Sequence, residues 1–182
     1  MTETLRDITW DLHKKAETMV FAKKLLRKEL TKEEYATYLY NLLAIYDPLE
    51  WSASRQGMFD NLNGVQRMQS LYEDFKEIDS GANYQLVPSI VEYHDYLVKL
   101  GNDPHRRHLI KAHMYVRHMG DLNGGQVIKR QVAEFSSGKF YDFDNVDSLK
   151  VKIKEELTLD LGPEARTAFI YAIRMFEELG RE

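Results

Sequence analysis

A glycine-rich run near the middle of the chain combines residue types that could hold and act on a flat ligand. The run reads RHMGDLNGGQ from position 117 to 126, within a stretch that otherwise has helical periodicity. Each glycine inside a helix costs about 0.5–1 kcal/mol relative to alanine, so the missing side chains need a reason. Gly120 and Gly124 are four apart and Gly125 adjoins them, which predicts one bare helical face with Asp121 at its border. A flat ligand or a second helix could approach that face.

A histidine in the first predicted helix is a candidate metal ligand. His13 lies about 90° from the centre of the apolar stripe of its helix, at a core boundary. Glu17, one turn later, is placed to accept a hydrogen bond from Nδ1–H of His13, which would leave Nε2 free for a metal. Arg6 falls two turns earlier on the same side. A purely structural role for His13 is the competing interpretation.

The other histidines offer a rival metal site. His105 and His108 are three apart, and His113 and His118 follow along the chain. His113 is five residues from both His108 and His118, which does not place the three on one helical face, and no Glu-x-x-His motif accompanies them. Surface charge, packing or local hydrogen bonds are therefore the expected roles of these side chains.

Two further polar residues are candidates for a buried network. Tyr46 lies on the apolar stripe of its predicted helix, so its hydroxyl needs a hydrogen-bond partner. Arg117 precedes Asp121 by one helical turn. This spacing fits either a simple ion pair, worth a few tenths of a kcal/mol, or a buried network that holds water.

These residues belong to a chain whose periodicity is helical nearly throughout, with only four prolines and ten glycines among 182 residues. The sequence Thr31-Lys-Glu-Glu34 is a capping box that opens a helix with a core-facing stripe. Asp103 and Pro104 have the residue types of a helix start. We predict one all-α domain over 1–182, with further helices near 3–28 with a break, 64–78, 84–100, 104–137, 146–159 and 163–180.

Composition limits the classes of function. The chain has no cysteine, which excludes a disulfide framework, a thiolate metal site and a cysteine nucleophile. A net charge of -4 argues against a general nucleic-acid binder. Without an apolar signal segment or a membrane-length apolar run, the sequence predicts a soluble, cytoplasmic protein. Basic residues cluster over 14–28 and 106–139, which indicates a solvated face or a dock for an acidic partner.

The segment from Ala112 to Arg130 closely resembles the distal-helix signature of heme oxygenases, with Asn123 where the usual form has serine. The segment LHKKAE at 12–17 resembles the family's proximal-histidine segment, and IYDPLE at 45–50 resembles its second helix. Ala168-Phe169 and the segment FEEL at 176–179 resemble its last helix. The resemblance thus extends over the whole chain and implies a heme-oxygenase-like bundle, with heme between a proximal helix and a kinked distal helix.

The resemblance also implies residue roles. His13 would be the axial ligand of the iron of heme b, with Glu17 beside it, and Gly120, Gly124 and Gly125 would let the distal helix lie against the porphyrin. Asp121 would anchor a water network that delivers protons, and Tyr46 and Arg117 would belong to that network. The remaining residues implied to contact heme are Arg6, Tyr115, Lys150, Lys154 and Phe169.

The implied reaction consumes dioxygen and electrons and converts heme to biliverdin, with the IX-alpha isomer expected, together with carbon monoxide and ferrous iron. No flavin or nicotinamide site is evident, so an external donor such as ferredoxin is expected, and a bilin reductase is a possible downstream partner. Trp10 stands where many relatives have a second basic residue, Asp47-Pro48 is expected to interrupt the second helix early, and the segment 51–65 does not match the family well.

Two other functions remain open from the sequence. A heme-binding carrier or sensor would keep the pocket without degrading the ring, although Asp121 argues against it. A di-iron oxidase on a similar helical scaffold is disfavoured because paired Glu-x-x-His motifs are lacking. Thiaminase-like relatives that use a cysteine nucleophile are excluded by composition.

Overall fold

A computed structural model describes residues 2–181 of the chain, and this part of the chain is all-helical with no strand. The eight α-helices are α1 (Leu5–Thr18), α2 (Val20–Leu26), α3 (Lys32–Arg55), α4 (Met68–Ile78), α5 (Pro88–Asn102), α6 (Ile110–Gln131), α7 (Val146–Glu155) and α8 (Gly162–Leu179). Short 3₁₀ turns lie at Arg107–Leu109, Lys139–Tyr141 and Leu159–Leu161. The predicted all-α fold class is confirmed.

Helix α3 is the central core helix and begins as predicted. The Thr31 hydroxyl accepts a hydrogen bond from the backbone N–H of Glu34, whose carboxylate accepts from the N–H of Thr31, so the capping box is formed. The stripe that it opens is almost fully buried. Its buried members are Tyr35, Tyr38, Leu39, Leu42, Ile45, Tyr46 and Leu49.

Pro48 does not interrupt α3, so the predicted early end of this helix is wrong. A proline inside a helix removes the hydrogen bond to the carbonyl four residues earlier. Here that carbonyl belongs to Ala44, and its oxygen lies 2.8 Å from Nδ1 of His94 on α5. The proline is tolerated because a neighbouring helix supplies the missing donor, and α3 continues to Arg55.

The helix that carries the glycine-rich run is shorter than predicted at both ends. The Asp103 carboxylate accepts a hydrogen bond from the backbone N–H of His105 at 2.9 Å, which closes a turn rather than capping a helix. Helix α6 itself begins only at Ile110 and ends at Gln131, against the predicted 104–137.

Helix α8 connects α1, which carries His13, to α6, which carries the glycine-rich run. It packs against α1 on one side and α6 on another, while α3 packs against α4, α5 and α6. One apolar cluster joins α1, α6 and α8, and it includes Leu5, Val116 and Ala168. Among the helices in residues 2–181, none is long and apolar enough to span a membrane.

Candidate functional site

The proposed metal ligand lies on a partly exposed part of α1. The side chain of His13 is 43% exposed, which leaves the imidazole accessible to a ligand. Its Nδ1 is shielded from solvent and has no hydrogen-bond partner. Glu17 Oε1 is 3.7 Å from Nδ1, which is too far for a hydrogen bond. The predicted His13–Glu17 hydrogen bond is therefore wrong for this conformation, although the two side chains are adjacent.

Aromatic side chains flank the His13 imidazole instead. The Trp10 ring lies nearly parallel to it, with 5.4 Å between ring centroids and 11° between ring planes. Phe169 on α8 approaches edge-on, with centroids 5.9 Å apart and planes at 71°. Phe169, a predicted heme contact, is thus beside His13.

The glycines of α6 do not share one face. A Cβ atom built on Gly120 or Gly124 would meet no heavy atom within 4 Å, so both positions border open space. A Cβ atom on Gly125 would lie 2.5 Å from Cδ1 of Tyr141, which is buried in the core. The bare face predicted for three glycines therefore holds for two, because Gly125 makes room for the Tyr141 ring instead.

The segment formed by α1 and α2 is linked to α6 or its continuation at two points. Near its start, Leu5 shares an apolar cluster with Val116 of α6. Beyond α2, Lys28 Nζ lies 2.7 Å from Glu134 Oε1, just past the end of α6. In sequence, His13 falls between Leu5 and Lys28, while Gly120 and Gly124 fall between Val116 and Glu134. We take the space between His13 on α1 and the two open glycines on α6 as the candidate ligand site.

Asp121 lies between the two open glycines in sequence and is bound by a residue of the core. The Tyr46 hydroxyl donates a hydrogen bond to Asp121 Oδ2, which supplies the partner that the buried phenol needs. The guanidinium of Arg117 is 5.7 Å from the centre of the Tyr46 ring, and its Nε is buried without a hydrogen-bond partner. No direct Arg117–Asp121 ion pair is formed within residues 2–181, so the simple ion-pair interpretation is not supported.

The environment of Asp121 changes its acidity. Desolvation raises the pKa of its carboxyl to about 6, although the positive charge of Arg117 and the hydrogen bond from Tyr46 act in the opposite direction. Desolvation also raises the pKa of the Tyr46 phenol well above its ordinary value, with the Asp121 charge adding to the rise. Tyr46 therefore remains a proton donor while Asp121 can change its charge near neutral pH.

The predicted contacts at the edge of the ligand are spread over three helices. Arg6 is exposed on α1, with its guanidinium 4.9 Å from the Trp10 ring centre. Tyr115 on α6 is half-buried, and desolvation raises the pKa of its phenol. Lys150 is half-buried and Lys154 exposed on α7, which packs against α6. Neither lysine forms a salt bridge with another described residue, so both ammonium groups remain available.

The sequence reasoning missed a second buried network beside Asp121. His118 is fully buried, with Nε2 2.9 Å from Glu50 Oε1 and Nδ1 3.2 Å from the Met114 carbonyl oxygen. The Glu50 carboxylate also accepts hydrogen bonds from the backbone N–H groups of Arg67, at 2.5 Å, and Met68, at 2.9 Å. Glu50 therefore caps α4 and connects it to the helix that carries Asp121.

The remaining candidates for a rival metal site have other roles. His113 is buried, with Nδ1 2.6 Å from the Tyr93 hydroxyl and Nε2 2.8 Å from Glu164 Oε1. His105 and His108 are exposed. In residues 2–181 no group of three or more histidine or carboxylate side chains is arranged to hold a metal. The expected packing role is confirmed for both buried histidines, whereas a local hydrogen bond is formed by His118 alone, to Met114.

Comparison with known proteins bears directly on this arrangement. A family model described as heme oxygenase matches residues 1–178. The chain belongs to the heme oxygenase family. A heme oxygenase of Porphyra purpurea is 28% identical to this heme oxygenase family member, over 98% of this chain and 86% of the relative. Heme oxygenase 1 of Bos taurus is 30% identical over 98% of this chain and 71% of that protein.

Solved structures of heme oxygenases share the fold of this family member. The structure of heme oxygenase-1 from the cyanobacterium Synechocystis, in complex with heme, superposes with a TM-score of 0.82 at 24% identity, over 96% of this chain and 90% of that chain. The heme oxygenase of Leptospira interrogans gives a TM-score of 0.81 at 23% identity, over 96% and 97%.

The residues present fit a heme group. His13 offers an accessible imidazole nitrogen, the donor type that binds heme iron in many proteins. Gly120 and Gly124 present backbone without side chains toward open space, and a bare helical backbone allows the close approach of a flat ring.

Proposed function

We propose that this member of the family is an active heme oxygenase, which cleaves heme to biliverdin, carbon monoxide and ferrous iron with dioxygen and external electrons. The observation that carries the proposal is the Tyr46–Asp121 hydrogen bond beside the open face at Gly120 and Gly124. A site that only stored heme would not need a carboxylate held by a buried phenol beside the open face.

In this proposal the His13 imidazole would hold the iron of heme, and Phe169 packs beside that imidazole. When bound, heme b supplies both the redox-active iron and the ring that is oxidised. His13 and the backbone of Gly120 and Gly124 would hold the ring, while Gly125 has its structural role against Tyr141. The absence of side chains at the two open glycines would let α6 approach the ring closely.

Asp121 has the role of holding and moving protons. Its ionised carboxylate accepts a hydrogen bond from Tyr46, which fixes one oxygen and leaves the other for water. Arg117 Nε and the Tyr141 hydroxyl are buried polar atoms without protein partners, which suits them to hydrogen-bond water as well. The ordered water would place a proton donor within reach of the reacting oxygen.

Cations at the edge of the site would select the orientation of the ring. Arg6, Lys150 and Lys154 have no carboxylate partner among residues 2–181, which makes them suitable for the two heme propionates. Tyr115, in the apolar cluster that joins α1 and α6, would contact the same edge. We propose that this arrangement directs cleavage to give the IX-alpha isomer of biliverdin.

The electrons would come from a soluble donor, and we propose ferredoxin. Lys14, Lys15, Lys23 and Arg27 are exposed on or just after α1 and α2, and none has a carboxylate partner in the described chain. In the other basic segment, Lys111, Lys129 and Lys139 are paired with acidic residues, while Arg106, Arg107 and Arg130 are exposed without such a partner in the described chain. We take the face of α1 and α2 as the dock for an acidic donor, because its unpaired cations lie close together in sequence. A bilin reductase remains the proposed consumer of the product.

The competing function is a heme carrier or sensor that does not degrade the ring. Hemin is added to the purified protein, followed by ferredoxin, its reductase and a source of reducing equivalents, and the absorbance is followed. The proposal predicts that the Soret band disappears while a biliverdin band grows. A Soret band that persists under steady electron supply supports the carrier and contradicts the enzyme.

A further inference from the structure

The His13 imidazole lacks the device that usually orients a histidine ligand. A metal-binding histidine normally donates its second ring N–H to a carboxylate or carbonyl, which fixes the ring plane. Here Nδ1 is buried without a hydrogen-bond partner, and the nearest Glu17 oxygen is 3.7 Å away. Some other contact must define the orientation of a ring that is 43% exposed.

The structure provides that contact in Trp10. The indole lies one helical turn before His13 on the same face of α1, and the two rings are nearly parallel, 11° apart in plane. Offset stacking at a centroid distance of 5.4 Å is a favourable arrangement for two aromatic rings. A parallel neighbour restricts rotation of the imidazole about its own axis, since turning the ring would break the contact.

The indole is itself held in place. The Arg6 guanidinium is 4.9 Å and the Lys14 ammonium 5.5 Å from the Trp10 ring centre, both within the range of cation–π attraction. Both cations and both rings belong to α1, so the assembly needs only the helix to form. The indole remains 39% exposed despite these contacts, which places a large apolar ring beside the candidate ligand site.

We propose that Trp10 is the positioning residue for His13: its indole, clamped by Arg6 and Lys14, fixes the plane of the imidazole in place of a hydrogen bond to Nδ1. The inference rests on the proposed function, because it treats His13 as the axial ligand. It assigns Trp10 no contact with the reacting atoms. The His13 imidazole is therefore oriented before heme binds, which lowers the entropic cost of binding heme.

The first test uses the protein without heme. Stacking on an indole shifts the NMR signals of the His13 ring protons upfield through the ring current. Trp10→Ala should move these signals toward their ordinary positions, whereas Trp10→Phe should retain part of the shift. Trp51→Ala is the matched control, since Trp51 is also exposed and lies 4.4 Å from a guanidinium, that of Arg55 on α3. His13 signals that are unaffected by Trp10→Ala overturn the proposal.

The second test measures hemin binding and the axial bond. Trp10→Ala should weaken hemin binding by about three- to tenfold and broaden the iron–histidine stretching band, while Trp10→Phe restores a narrow band. Trp51→Ala should match the wild type in both measurements. A Trp10→Ala protein with wild-type affinity and band width contradicts the positioning role alone. If the wild-type iron–histidine band survives His13→Ala, the proposed function fails with it.

Discussion

Tyr46 of α3 donates a hydrogen bond to Asp121 of α6 across 75 residues of sequence, and this contact joins the buried core to the open side of the glycine-rich helix. The phenol keeps its proton because burial and the neighbouring carboxylate raise its pKa. It therefore holds one oxygen of Asp121 at all physiological pH values.

The pH dependence of turnover should follow the charge of Asp121. Because desolvation raises the pKa of this carboxyl to about 6, it is protonated below that value and ionised above it. Turnover that requires the carboxylate should fall as pH decreases through about 6. Asp121→Asn should be slow at every pH and lose this inflection, with hemin affinity within about threefold of the wild type. An unchanged inflection in the variant would assign it to another group.

Removing the Tyr46 hydroxyl should move the same inflection. The hydrogen bond from Tyr46 lowers the pKa of Asp121, against the larger effect of desolvation. Tyr46→Phe should therefore shift the midpoint of the pH profile upward, while the ring continues to pack against Phe140 at a centroid distance of 5.3 Å. A midpoint that stays fixed or moves downward would show that the hydrogen bond does not govern this titration.

The glycines should separate into two classes when each is replaced by alanine. Gly125→Ala should destabilise the heme-free protein by about 1–3 kcal/mol, because its new methyl group would lie 2.5 Å from Tyr141. Gly120→Ala should leave the free energy of unfolding equal or higher by up to about 1 kcal/mol, yet weaken hemin binding. Urea unfolding and Soret titration measure the two effects. Equal behaviour of both variants would contradict the assignment of faces.

The buried His113–Glu164 pair should make the fold sensitive to acid. Burial lowers the pKa of His113 below its ordinary 6.5, so below that pH the unfolded chain gains a proton that the folded protein resists. The free energy of unfolding should fall as pH drops below about 6.5. His113→Gln should cost about 1–3 kcal/mol at pH 7.5 and remove this part of the decline, as measured by urea unfolding. A decline of the same steepness in the variant would refute the explanation.

Electron delivery should depend on the cations of α1 and α2. Raising the salt concentration should slow ferredoxin-driven turnover, because screening weakens the attraction between exposed charges. The double variant Lys15→Glu with Lys23→Glu should raise the KM for ferredoxin, while Lys99→Glu, an exposed lysine on α5, should not. Turnover that is indifferent to both salt and charge reversal would contradict the proposed dock.

Local patterns in the sequence were sufficient for much of this fold. The capping box at Thr31 and the buried stripe of α3 depend on neighbouring residues, so spacing alone predicts them. Helical geometry also indicates that Gly125 faces away from the other two glycines. At 3.6 residues per turn, Gly124 lies about 40° around the helix axis from Gly120, and Gly125 lies about 140° from it.

Long-range partners could not be predicted in this way. The link between His118 and Glu50 spans 68 residues, and the donor that satisfies Ala44 behind Pro48 comes from His94 on another helix. Each depends on how helices pack, which no periodicity encodes. Residue spacing alone could have predicted the stacking of Trp10 on His13, because the two residues lie three apart on α1.

The most direct test of the account is product analysis of Asp121→Ala beside the wild type, after hemin and an electron source have been supplied to both. Both proteins should bind hemin with a Soret band that depends on His13. The wild type should yield biliverdin, carbon monoxide and free iron, whereas Asp121→Ala should keep its heme or form no biliverdin. Biliverdin production by Asp121→Ala at the wild-type rate would contradict the central claim that this carboxylate directs the reaction.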